Sequence, residues 1–130
     1  VSKIVDTGSY TYELIKRALD ASDLRGKAIA NNIANINTKG YKRINVTFEE
    51  TLSNVTADFR TKGNTKVSKN EIGSISLKRD NSTSMRADGN NVDLEVEKTN
   101  QAANTLMYNA LVSKANGKLS MQKYVISGGR

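Results

Sequence analysis

The sequence predicts a mainly α protein. Two long terminal helices form an antiparallel coiled-coil pair, and an irregular middle segment contains short β-strands. Three observations lead there. Apolar residues recur at alternating spacings of three and four from Tyr12 to Ile36. A second stripe of small and apolar residues follows Asp93. Between them, residues 37–91 are rich in Asn, Thr, Ser, Gly and Lys and poor in apolar side chains. The organisation expected is therefore 1–36 as the N-terminal helical arm, 37–91 as the irregular segment, and 92–130 as the C-terminal helical arm.

The first helix is predicted over about residues 9–36. Tyr12, Ile15, Leu19, Ser22, Gly26, Ile29, Ile33 and Ile36 follow the coiled-coil period. Leu14, Ala18, Ala21 and Ala28 make a second stripe beside them. At 1.5 Å per residue such a helix is about 42 Å long. Apolar surface on more than one side predicts more than one packing partner.

The helix runs into Ala30-Asn31-Asn32-Ile33-Ala34-Asn35-Ile36-Asn37-Thr38-Lys39-Gly40-Tyr41. Asparagine is a poor helix former because its side chain competes for the backbone. Asn31 and Asn35, four apart, share one side of the helix. They either bond neighbouring helices and fix register, or face water at a fraying end. Thr38 and Gly40 are expected to set the turn, with Gly40 free to take positive φ. Tyr41 either fills a contact beside it or covers the helix end.

In the middle, Asn45-Val46-Thr47-Phe48 and Ser74-Ile75-Ser76-Leu77 read as short β runs. Ile75 and Leu77 alternate with serines, as in a half-buried strand. Gly63-Asn64 and Gly73-Ser74 punctuate the segment. Long loops and one small hairpin are expected.

The second helix is predicted over about residues 93–126. Asp93 is the expected N-cap, with Glu95 and Glu97 at the positive end of the helix dipole. Val96, Ala103, Leu106, Met107, Ala110, Leu111 and Ala115 give the stripe, and Leu119, Met121, Val125 and Ile126 extend it. Lys114, Lys118 and Lys123 load the C-terminal half, and Ser127-Gly128-Gly129 ends it.

Composition narrows the function. The 130 residues are 37% hydrophobic, with seven aromatic side chains and no tryptophan. That is little material for a self-contained core, so the fold is expected to be completed within an assembly. Cysteine and histidine are absent. Disulfides, thiolate metal sites and Ser-His or Cys-His nucleophiles are thereby excluded. Asp88-Gly89-Asn90-Asn91-Val92-Asp93 faintly resembles a calcium loop but lacks the terminal glutamate ligand. No enzyme, cofactor or metal is expected. The net charge of +7 divides as +1 over 1–36, +4 over 37–92 and +2 over 93–130. Acids interleave with the bases, so a solvated surface is preferred to a nucleic-acid interface. No 18-residue apolar run predicts a membrane-spanning helix, and no cleavable signal is expected.

The segment Ala30–Lys42, with the preceding Leu19-Asp20-Ala21-Ser22-Asp23-Leu24-Arg25, resembles the N-terminal signature of bacterial flagellar rod and hook proteins. Asp88–Asp93, Asn104-Thr105-Leu106-Met107-Tyr108-Asn109-Ala110-Leu111 and Gly117-Lys118-Leu119-Ser120-Met121 resemble the C-terminal half of a short proximal rod subunit. The match covers about residues 12–48 and 85–126. One departure is Lys39, where proline is common in that family's turn.

The resemblance implies a structural subunit of the flagellar rod, a drive shaft crossing the cell envelope, exported by the flagellar type III apparatus. It implies that the terminal helices line a tube. The implied partners are other copies of the chain, adjacent rod subunits of FlgC and FlgF type, the FliE adaptor and the MS-ring protein FliF. A FlgC-type subunit and a free coiled-coil adaptor are the competing readings. With the stripes, the resemblance puts the subunit interface on Ile15, Leu19, Ile29, Asn31, Asn32, Ile33, Asn35, Ile36, Leu106, Tyr108, Leu111, Ala115 and Leu119. Asn37, Thr38, Gly40 and Tyr41 form the turn motif.

Overall fold

The computed structural model describes residues 7–48 and 74–130. Its elements in chain order are α1 (Thr7–Ala34), β1 (Ile44–Thr47), β2 (Ser76–Arg79) and α2 (Leu94–Ile126). The molecule is mainly helical, with the two long helices packed on one another and a two-stranded antiparallel ribbon beside them. Loop expectations for residues 49–73, including the Gly63-Asn64 and Gly73 punctuation, lie outside the described residues.

The helices run antiparallel. The Ser22 hydroxyl donates to Asn104 Oδ1 at 2.9 Å, and Asn104 Nδ2 donates to the Ser22 carbonyl at 2.9 Å. Towards the other end, Arg43 beside α1 meets Glu97 in the first turn of α2. Ala21, Ser22, Ala28, Ile29 and Asn32 are closely buried residues of α1, with Ile15 a turn and a half before Ala21. The small side chains Ala21, Ser22 and Ala28 let the helices approach.

α1 ends at Ala34, two residues before the expected Ile36. Asn35 explains the stop. Its side-chain amide donates to the Asn31 carbonyl at 2.8 Å, and its own Oδ1 accepts from the Thr38 hydroxyl at 3.2 Å. Such local bonds compete with continued helix. Gly40 then takes φ +72°, and its N–H donates to the Asp88 carbonyl at 2.8 Å.

The ribbon pairs Ile44 with Arg79 and Val46 with Leu77. The second strand begins at Ser76, two residues later than the serine alternation predicts. Leu77 is 55% exposed, so it is not the half-buried strand residue expected. The cause is the order of layers: β1 lies against α1, and β2 is hung on its outer side. Phe48, directly after β1, is buried.

α2 starts as its sequence dictates. Asp93 Oδ1 accepts from the N–H groups of Glu95 at 2.9 Å and Val96 at 3.3 Å, satisfying two donors that helix geometry leaves open. Its other end closes at Ser127, followed by Gly128 and Gly129 at φ +69° and +82°.

Candidate assembly interface

Two features stand out: a polar clasp where α1 meets α2, and an open apolar face on α2.

The clasp is built from asparagines. Asn32 is fully buried. Its Nδ2 donates to the Ile44 carbonyl at 3.0 Å, while its Oδ1 accepts from the Ile44 N–H at 2.9 Å and the Tyr41 hydroxyl at 3.1 Å. One amide side chain thus pairs like a strand with β1 and holds the ribbon to α1. Asn90, also fully buried, donates from Nδ2 to the carbonyls of Asn35, Ile36 and Thr38, each at 2.9 Å. Arg86 Nη1 adds a donor to the Ile36 carbonyl at 2.8 Å. The carbonyls of the turn that follows α1 are therefore held from the loop before α2, with a cation at the negative end of the dipole. Asn91 accepts from the Arg43 N–H at 2.7 Å and donates to the Asp80 carbonyl at 2.8 Å, tying the ribbon to the same loop.

Arg43 and Glu97 lock the arrangement. The Arg43 guanidinium Nε donates to Glu97 Oε1, and Glu97 has no exposed surface. Glu97 Oε2 is buried without a donor among the described residues. Glu97 is among the residues around a cleft of about 310 Å³ between α1, β1 and α2.

Most of the face that α2 turns toward α1 is polar at its start. The positions that lose exposure are Glu97, Asn100, Asn104, Leu111, Val112, Ala115 and Lys118. Glu97, Asn104, Leu111 and Lys118 fall seven apart. Apart from Leu111 and Ala115, the apolar stripe read from the sequence points elsewhere. Leu106 is 72% exposed, and Val96, Met107, Tyr108, Leu119 and Met121 are also open. Glu97 is the only buried residue of this 33-residue helix.

The expected interface residues divide accordingly. Ile15, Ile29 and Asn32 are buried inside this chain. Leu19, Ile33, Asn35, Ile36, Leu111, Ala115 and Tyr41 are half-buried. Asn31, Asn37, Thr38, Gly40, Leu106, Tyr108 and Leu119 are exposed. Asn31 and Asn35 do not meet across the helix pair. Within this chain the buried polar tie is made by Asn32, the asparagine between them. Sequence reasoning missed Arg43, Glu97, Asn90 and Asn104 as packing residues. The seven-residue spacing of Glu97, Asn104 and Leu111 could have shown the two on α2; nothing in the local pattern marks Arg43 or Asn90.

Salt bridges Lys16–Glu13 at 3.0 Å and Lys27–Asp23 at 2.7 Å lie on the exposed side of α1. Hydrogen bonding to those acids, then their charge, raises both lysines above the ordinary ammonium range. At the ribbon's end, Asp80 is held below the usual carboxylate range, chiefly by the Ser82 N–H.

An antiparallel helix pair with an asparagine clasp and an open apolar helix face is the form of a subunit that packs into a larger array. Comparison with known proteins places it. Residues 16–42, which span the buried stretch of α1, the asparagines and the turn, match the family described as flagella basal body rod protein. The chain is 35% identical over 129 residues to the flagellar basal body rod protein FlgB of Bacillus subtilis (strain 168), covering 94% of this chain and 97% of that one. It is 35% identical over 108 residues to FlgB of Borrelia hermsii, covering 74% of this chain and 80% of the relative. The chain belongs to the FlgB family of flagellar basal body rod proteins. It is a rod subunit of the flagellar basal body.

Proposed function

We propose that this chain is a purely structural subunit of the proximal rod. Its terminal helices assemble into a tube that transmits torque and continues the export channel. The observation that carries this is the exposed apolar surface of α2: Leu106, Leu119 and Met121 stand in water along a helix that α1 covers on one side only. Large apolar side chains left open at several points along one helix fit a protein interface. Long helices sharing lateral contacts give the stiffness a shaft needs, and no reaction chemistry is required of the subunit. Contacts of the heterologous kind propagate into helical tubes.

In this reading the exposed face of α2, with Asn31 and the half-buried Ile33 and Ile36 of α1, meets neighbouring helices. The neighbours are other copies, rod subunits of FlgC and FlgF type, the adaptor FliE and the MS-ring protein FliF. Delivery is by the flagellar type III export apparatus. The test is a deletion strain viewed by electron microscopy. Rings without rods are expected, restored by the wild-type chain and not by a chain carrying Leu106→Glu and Leu119→Glu. Normal filaments in the deletion strain would contradict the reading.

A further inference from the structure

The ribbon has two edges, and they are finished differently. On the β1 edge, the Ile44 N–H donates to Asn32 Oδ1 at 2.9 Å, and the Ile44 carbonyl accepts from Asn32 Nδ2 at 3.0 Å. Ile44 is therefore a ladder position whose main-chain groups point away from β2. In an antiparallel ladder such positions alternate, and residues directly opposite share the property. Arg79 lies opposite Ile44, and Leu77 lies opposite Val46. The N–H and C=O groups of Leu77 and Arg79 thus point outward from β2. The Asp80 N–H, which donates to the Arg43 carbonyl at 2.8 Å, fits the same alternation. Among the described residues none of these outward groups has a hydrogen-bond partner, and no third strand lies on this edge.

The side chains define what suits that edge. Every residue of β2 is exposed. Leu77 shares a face with Val46 and Arg79 with Ile44, while Lys78 stands on the other face beside Asn45. Lys78 and Arg79 have no ion pair among the described residues. Lys42, just before β1, donates to the Ser82 carbonyl at 3.2 Å and adds a cation at the same end of the ribbon. From Ser74 to Ala87 the sequence has one acid, Asp80, and its Oδ1 accepts from the Ser82 N–H. A lysine on an open edge keeps copies of one chain from pairing there, because like charges come face to face. The same cations attract an acidic strand.

We propose that β2 is a docking edge for an extended acidic segment of another protein, which adds to the ribbon as a third strand. The N–H and C=O groups of Leu77 and Arg79 supply the main-chain bonds, and the side chains supply the selection. In antiparallel addition, acids stand opposite Arg79 and Lys78 and an apolar side chain stands opposite Leu77. The segment therefore reads acid, acid, apolar in chain order. Directly opposite residues have Cβ atoms about 5 Å apart, close enough for long side chains to pair. This edge is separate from the open side chains of α2, so the inference does not depend on the proposed tube wall.

The test uses the isotope-labelled full chain and a blocked synthetic peptide, Thr-Thr-Glu-Glu-Val-Thr-Thr. With peptide in excess, hydrogen exchange at the Leu77 and Arg79 amides is expected to slow about tenfold relative to the Lys78 amide, which already faces β1. High salt should weaken the effect. The same peptide with Lys-Lys in place of Glu-Glu should give no protection. In a chain carrying Lys78→Glu and Arg79→Glu, both at exposed positions, the two peptides should exchange roles. An acidic peptide that leaves both amides exchanging freely would overturn the docking edge. Equal protection by the lysine peptide would overturn the charge selection. Phosphatidylserine vesicles that protect these amides where the acidic peptide does not would assign the ribbon to a membrane surface and overturn the proposal.

Discussion

Asn90 donates its side-chain amide to the main-chain carbonyl of Ile36 at 2.9 Å, across 54 residues of sequence. The same nitrogen is 2.9 Å from the carbonyls of Asn35 and Thr38. The end of α1 is thus capped by the loop that leads into α2. Asn90→Ala removes these bonds and strands the buried Val92 N–H, which donates to Asn90 Oδ1 at 2.9 Å, and is expected to cost about 1–3 kcal/mol. Urea unfolding reads the loss, and hydrogen exchange should speed locally over residues 33–41. Asn90→Asp should be no better, because it removes the donor and places a negative charge at the negative end of the helix. An Asn90→Ala chain of wild-type stability would contradict the cap.

Asn32 and Asn31 are neighbours in sequence and opposites in environment. Asn32 is buried with three hydrogen bonds, whereas Asn31 is exposed. Asn32→Ala should destabilise the isolated fold by about 2–4 kcal/mol, since it strands both main-chain groups of Ile44 and the Tyr41 hydroxyl. Asn31→Ala should stay within about 0.5 kcal/mol, as exposed substitutions do. Thermal unfolding of the two variants separates them. Equal effects would show that the asparagines are interchangeable.

The Arg43–Glu97 pair holds the ribbon to α2, with Glu97 fully buried and Arg43 partly exposed. Removing one partner strands a buried charge. Arg43→Met is expected to cost about 3–5 kcal/mol, and the double replacement Arg43→Met with Glu97→Leu markedly less. A double-mutant cycle by chemical unfolding measures the coupling. Additive losses would mean the two side chains do not act as a pair.

Much of the fold could be read directly. The three-and-four spacing of α1 and the Asp93 cap of α2 depend on neighbours a few residues away, and both elements stand close to where that spacing places them. The asparagine cluster announced that polar groups would be buried, but the identity of the buried one did not follow. A helix face is assigned by what packs on it, and β1 packs over Asn32 rather than Asn31. Glu97 read as a dipole partner because a glutamate in the opening turns of a helix normally faces water. Only Arg43, brought in from 54 residues away, makes its burial tolerable. The apolar stripe of α2 was legible as a stripe. Its outward direction was not, because periodicity does not say whether the partner is the same chain or another.

The turn after β2 carries a small pH dependence. Asp80 Oδ1 accepts from the Ser82 N–H at 2.9 Å, and this bond, more than the nearby Arg43 and Lys42 charges, lowers its pKa from the ordinary 3.8. A carboxyl depressed in the folded state stabilises above its unfolded pKa, and that contribution is lost as pH falls through the folded value. The Ser82 amide resonance should therefore move with a midpoint below 3.8. Asp80→Asn should abolish the titration while keeping the turn. A midpoint at or above the ordinary value would contradict the bond.

The central claim is that the two terminal helices build the wall of a tube through the face that α2 leaves open. A cryo-electron-microscopy reconstruction of the proximal rod in isolated basal bodies tests it most directly. The account predicts α1 and α2 packed as an antiparallel pair in the inner layer, with Leu106, Tyr108 and Leu119 buried against neighbouring chains. A reconstruction in which those three side chains face open solvent, with subunits joined through other surfaces, would contradict it.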